Sequence, residues 1–171
     1  SRGLGDVYKR QVSTWWGSTI DAPDPDRLYA YLYSVLSRVS SLRITPPPTS
    51  VDPAFADFPG QHATPLFVCK GIRHLALDGV DPASIVGWDR LRIQLTSLEC
   101  THISMADITD LFVGLVQRDA HVESLPAAAW HALQYACLAH NELTFVPSSM
   151  TTILPSLRYL DVSHNLLNAV P

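Results

Sequence analysis

The chain has no basic cluster, no apolar run approaching the roughly 20 residues that a membrane-spanning helix requires, no G-x-S-x-G elbow and no glycine-rich phosphate loop. Each absence removes a class of function. Phosphate binding draws most of its affinity from clustered Lys and Arg, so nucleic acid and anionic membrane are poor partners. Acyl-transfer and nucleotide chemistry find no recognisable anchor. The three cysteines, Cys69, Cys100 and Cys137, are an odd set without paired spacing. Asn141, Asn165 and Asn168 are followed by Glu-Leu, Leu-Leu and Ala-Val, so there is no N-x-S/T acceptor. Both features point to a reduced, cytoplasmic setting.

Asp6-Val7-Tyr8-Lys9-Arg10-Gln11 reads as the translation of a transposon-end adapter used in sequencing libraries, and no Met opens the chain. Residues 1–11 are therefore expected to be read-through rather than protein evolved to fold. Without them the 12 basic residues lose Arg2, Lys9 and Arg10 and the 16 acidic residues lose Asp6, leaving 9 and 15 and a net charge of −6. The 160 residues that follow suffice for one continuous core.

What the chain does have is a repeat of 24 residues. Leu133, Ala136, Leu138, Asn141, Leu143, Val146 and Pro147 return as Leu157, Leu160, Val162, Asn165, Leu167, Val170 and Pro171. Looser copies precede them at Leu95, Leu98, Cys100, Ile103, Met105 and Ile108, and at Ile72, Leu75, Leu77, Val80 and Ile85. This is the spacing of leucine-rich repeats, in which each turn adds one short strand to a parallel ladder and then arcs back. The Asn of each turn reads as structural, its amide bonding to backbone groups that burial would otherwise leave unpaired. Cys100 takes an inward position and reads as a small core hydrophobe. From starts at 72, 95, 133 and 157 the repeats measure 23, 38 and 24 residues. The long one is expected to return through a helix over 110–116, capped by Asp107 or Thr109 and closed by Arg118. Val86–Arg92 is expected to form the shorter return before it, with Trp88 filling the core.

Ahead of the repeats, Asp24-Pro25 marks a helix start, and Leu28, Tyr31, Leu32, Val35, Leu36, Val39 and Leu42 make one apolar stripe at helical spacing. A Pro-rich connection follows, through Pro46-Pro47-Pro48, Pro53, Pro59 and Pro65. The expected fold is α/β: a leucine-rich-repeat solenoid with short parallel strands on its concave face, helical or irregular convex returns and an N-terminal amphipathic helix. Residues 12–43 carry the helix as a candidate cap, 44–65 the linker, and 66–171 the repeats. Pro171 completes a repeat with no polar capping turn after it, so the solenoid is expected to be cut at its C-terminus and the isolated fragment to self-associate.

Strands near 73–78, 96–101, 134–139 and 158–163 set out three outward columns. The first is His74, Ser97, Tyr135 and Tyr159; the second is Ala76, Glu99, Cys137 and Asp161; the third is Asp78, Thr101, Ala139 and Ser163. Two tyrosines beside Glu99, Asp161 and Asp78 suit a partner segment carrying Lys or Arg, since Tyr supplies contact area at low entropic cost. His102, His140 and His164 share one turn position, and rings about 5 Å apart on successive turns do not converge on one metal at about 2 Å. Ser163 and His164 are adjacent in a turn, an arrangement that does not form a triad with Asp161. No catalytic residue, cofactor or metal is expected.

The order of Ile72-Arg73-His74-Leu75-Ala76-Leu77, Gly87-Trp88, Gln94-Leu95-Thr96-Ser97-Leu98-Glu99-Cys100, an inserted helix, Trp130–Asn141 and Leu157–Asn165 resembles the repeat region of the family of serine/threonine kinase 11-interacting protein and its fungal relatives, with nischarin more distant. The resemblance covers about residues 65–171 and implies a cytoplasmic scaffold that binds kinases or signalling proteins. The functional expectation is a non-catalytic protein–protein interaction scaffold. The alternatives are a targeting or regulatory segment of a multidomain enzyme and an extracellular recognition ectodomain.

Overall fold

A computed structural model describes residues 24–46, 64–120 and 128–168. The adapter-like residues 1–11, most of the Pro-rich connection and the closing Val170-Pro171 lie outside the described residues. The chain divides into two compact units, one ending at Leu36 and the other beginning at Ser37.

In the first unit, helix α1 spans Pro25–Leu36. Pro at the first helical position needs no amide partner. Asp24 accepts the Leu28 amide on its carbonyl at 3.0 Å and the Asp26 amide on its carboxylate at 3.2 Å. None of the helix residues is buried.

The second unit is built on five parallel strands in chain order: β1 Ser41–Ile44, β2 His74–Asp78, β3 Ser97–Thr101, β4 Tyr135–Cys137 and β5 Tyr159–Asp161. Among the described residues the sheet is open, with β1 and β5 at its edges. Alternation decides which side chains face the core. Leu75 and Leu77 are buried, pair with Leu98 and Cys100, and leave His74, Ala76 and Asp78 outward. Ala136 continues the row between Leu98 and Leu160. Beyond β4 the Leu138 amide donates to Asp161 and the His140 amide to Ser163, at 2.7 and 3.1 Å, so Leu138 and Val162 extend the inward column.

Strand β1 corrects the helical stripe. The sequence pattern ran the helix through Val39 and Leu42, yet α1 stops at Leu36 and Ser41–Ile44 pairs with His74–Leu77. Two periodicities overlap here. Leu42 falls on the helical stripe, but Leu42 and Ile44 alternating with Ser41 and Arg43 also read as a strand, and pairing with the open edge of β2 decides between them. The expected boundary at residues 43–44 therefore falls inside a strand.

The turns after β2, β3, β4 and β5 each hold a left-handed residue. Gly79, His102, His140 and His164 occupy one repeat position with φ of 68°, 55°, 58° and 55°. Glycine adopts this conformation freely and His is enriched there among side-chain-bearing residues. The three imidazoles stack, with centroids 4.9 Å apart from His102 to His140 and 4.2 Å apart from His140 to His164. One residue on, Asn141 accepts the Ile103 amide and Asn165 the Leu143 amide, each at 3.0 Å, while their side-chain NH2 groups donate to carbonyls of their own and the preceding turn.

Behind the sheet the returns make the core. Helix α2, Trp88–Gln94, buries Trp88 and Leu91. The long repeat returns through a wide turn at Asp110–Gly114, wound as a π-helix, and then α3, Leu115–Ala120. Of the two expected caps it is Asp107 that acts, accepting the Thr109 amide at 2.8 Å. A four-residue helix α4, Met150–Ile153, closes the next repeat. Trp130 packs edge-on against Phe112 and beside Trp88, at 5.2 and 6.0 Å between centroids.

Arg118 does more than face a helix end. It donates to the Ala83 and Ile85 carbonyls at 2.9 and 2.7 Å and to Asp119 at 2.8 Å. Asp119 in turn accepts the Gly87 and Trp88 amides at 2.8 and 2.9 Å, capping α2 from the neighbouring repeat. Burial alone would raise the Asp119 carboxyl, but Arg118 and the two amides together hold it below its ordinary value. Asp119→Asn keeps an acceptor for the amides but sets an NH2 group against the guanidinium, and is expected to cost about 1–2 kcal/mol at neutral pH in urea unfolding. A folded pKa below the unfolded value of about 3.9 means that the wild-type advantage is complete above that value and is lost as pH falls through the folded pKa. A difference undiminished at about pH 2 would contradict this role.

Candidate functional site

The register brings the expected outward residues together. His74, Ser97, Tyr135 and Tyr159 lie side by side, as do Ala76, Glu99, Cys137 and Asp161, and Asp78 pairs with Thr101. Ser163 follows at the exposed end of the third column. Ala139, expected outward beside it, is buried, since a methyl group does not rise above longer neighbours.

Strand β1 adds two residues that the sequence reading did not place on this face. Ser41 joins the first column beside His74, and Arg43 joins the second beside Ala76. The signal was present: Val39-x-x-Leu42-x-Ile44 repeats the opening spacing of Leu95-x-x-Leu98-x-Cys100. Arg43 reaches across the short Ala76 to Glu99, with 3.4 Å between Nη2 and Oε2. Both partners are well exposed, so the pair contributes at most about 1 kcal/mol and serves mainly to place charge.

The remaining charges are also arranged. Asp78 meets His102 Nδ1 at 2.8 Å and accepts the Thr101 hydroxyl at 3.0 Å, and the His102 contact leads in holding its carboxyl below the ordinary range. Asp161 accepts the Ser163 amide at 2.9 Å, which does the same for it. Cys137 lies between Glu99 and Asp161 in the register, and its Sγ is 3.9 Å from Asp161 Oδ2. Burial, reinforced by those carboxylates, pushes its thiol up, so it stays protonated at neutral pH and is a weak nucleophile. The Tyr135 and Tyr159 rings are parallel, at 1° and 4.9 Å, and Tyr159 is 52% exposed.

Small side chains at the other end leave a hollow of about 120 Å³ lined by Ser41, Arg43, His74, Ala76, Ser97 and Glu99. A separate cleft of about 690 Å³ lies among Phe67, Val86, Arg90, Ile93 and Asp119 on the returns. The Asp119 carboxylate there is already committed to Arg118 and two amides. His164 is stacked on His140 while Asp161 bonds the Ser163 backbone, so these three neighbours do not form a proton relay. Among the described residues no helix is long and apolar enough to cross a membrane.

Over 130 residues, 70% of this chain, the sequence is 32% identical to an uncharacterized leucine-rich repeat-containing protein of Schizosaccharomyces pombe. The match takes in 21% of that protein's length. No protein-family model matches the chain. The similarity and the parallel ladder both support leucine-rich repeats.

Proposed function

We propose that this chain is a non-catalytic protein-interaction module: a leucine-rich-repeat solenoid whose concave strand face receives a segment of a partner protein. The observation that carries the reading is the alignment of Tyr135, Tyr159, Glu99, Cys137 and Asp161 on one face, held by a core to which they contribute little. Aromatic side chains ringed by polar groups on a rigid concave surface have the makeup of protein-binding patches. The low coverage of the fission yeast protein favours a role as the interaction segment of a larger scaffold. The resemblance to the kinase 11-interacting family favours a kinase or other signalling protein as partner. Three unpaired thiols, at Cys69, Cys100 and Cys137, support a cytoplasmic location.

Capture of partners from source-cell lysate by wild type and by a Tyr135→Ala, Tyr159→Ala double variant tests the proposal, after circular dichroism shows both to be folded. The double variant is expected to lose at least one partner that the wild type retains. Equal recovery of every partner would remove the concave face from the account.

A further inference from the structure

We infer that the β4–β5 end of the outward face is a subsite for an arginine side chain of the partner, its guanidinium lying against Tyr135 and Tyr159 and its charge held over Cys137 between Glu99 and Asp161. The inference rests on the reading of this face as the interaction surface and adds the chemistry of what it takes.

Three observations converge on it. Cys137 is flanked in the register by Glu99 on β3 and Asp161 on β5, so a short neutral side chain sits between two carboxylates. At a strand spacing of about 4.8 Å both acids are within reach of one planar cation placed above it. The adjacent column supplies the aromatic surface: Tyr135 and Tyr159 stack on each other, and the stack offers an outer ring face to a guanidinium, which favours such faces. The chain itself shows a guanidinium in the matching posture: Arg43 crosses Ala76 to reach Glu99 Oε2.

The face is also polar from end to end. Arg43 stands on β1, while Asp161 stands on β5 without a Lys or Arg paired to it among the described residues. A carboxylate side chain brought to the tyrosine end would meet Asp161 in repulsion, and an aliphatic one would leave Asp161 without a counter-ion, whereas Glu99 already has Arg43 on its far side. Arginine satisfies the carboxylates and the ring faces together, whereas lysine, a point charge on a flexible stem, engages the rings less well.

The full chain is titrated with a fluorescein-labelled Gly-Ser-Arg-Gly-Arg-Ser-Gly peptide and with its Lys and Glu counterparts, with binding read by fluorescence anisotropy at low salt. The Arg peptide is expected to bind saturably and more tightly than the Lys peptide, and the Glu peptide not at all. A Glu99→Gln, Asp161→Asn variant is expected to bind the Arg peptide about tenfold more weakly. Both changes keep acceptors for Arg43 and the Ser163 amide, and circular dichroism checks the fold. Absence of saturable Arg-peptide binding, equal binding of the Lys or Glu peptide, or unchanged affinity in the carboxylate variant would overturn the arginine subsite. If the carboxylate variant retains lysate partners that the double tyrosine variant loses, the subsite fails while the interaction face stands.

Discussion

Trp130→Ala is expected to destabilise the second unit by about 3–5 kcal/mol, the range for emptying a large aromatic site in a packed core. The ring is fully buried, edge-on to Phe112 and tilted against Trp88. Its Nε1–H donates to the Phe112 carbonyl at 2.9 Å, and the Trp130 amide donates to Ile153 at 2.7 Å. The side chain thus joins two returns, Trp88 on α2 and the wide turn at Phe112 of its own long repeat, while the backbone amide, which alanine keeps, ties the chain to Ile153. Alanine leaves a cavity that none of these helices can fill by itself, along with an unbonded Phe112 carbonyl. With whole-domain stability of about 5–15 kcal/mol, the denaturant midpoint should fall by about a fifth or more. A loss below about 1 kcal/mol would mean that the returns are not packed as described.

Asn141→Ala is expected to cost about 2–4 kcal/mol through backbone groups rather than packing. The side chain accepts the Ile103 amide and donates to the Cys100 and Leu138 carbonyls at 2.8 and 2.9 Å. The Leu138 carbonyl keeps a second donor, Asn165 Nδ2, so the orphaned groups are the Ile103 amide and the Cys100 carbonyl. Asn165 makes the corresponding contacts one turn later but is less buried, and Asn165→Ala should cost about half as much because water replaces part of what is lost. Parallel urea titrations measure both, and equal losses would contradict the ordering by burial.

The strands of the last two turns were legible because two independent patterns coincided there, period-two alternation and a 24-residue recurrence that carries Asn and Leu in register; the two turns before them followed as looser copies, with Val80 and Ile103 at the Asn position. The outward columns followed from that register by counting. Strand β1 was hidden because Val39 and Leu42 satisfy a helical stripe as well as a strand, and only the edge of β2 breaks the tie. With β1 went Arg43, and so the knowledge that Glu99 has an internal counter-ion. The Asp119–Arg118 cap was illegible for a different reason. It joins residues over 30 positions apart through a helix end, and no local spacing encodes such a contact. The left-handed turn position could have been read from Gly79 standing where His102, His140 and His164 recur.

The most direct test of the central claim, that the strand face and not the returns receives the partner, sets two folded variants beside wild type in one lysate capture. One carries Tyr135→Ala with Tyr159→Ala on the strand face; the other carries Phe67→Ala with Ile93→Ala, exposed residues lining the cleft on the returns. The account predicts that the strand-face variant loses partners and the cleft variant keeps them. Loss by the cleft variant with full retention by the strand-face variant would contradict it.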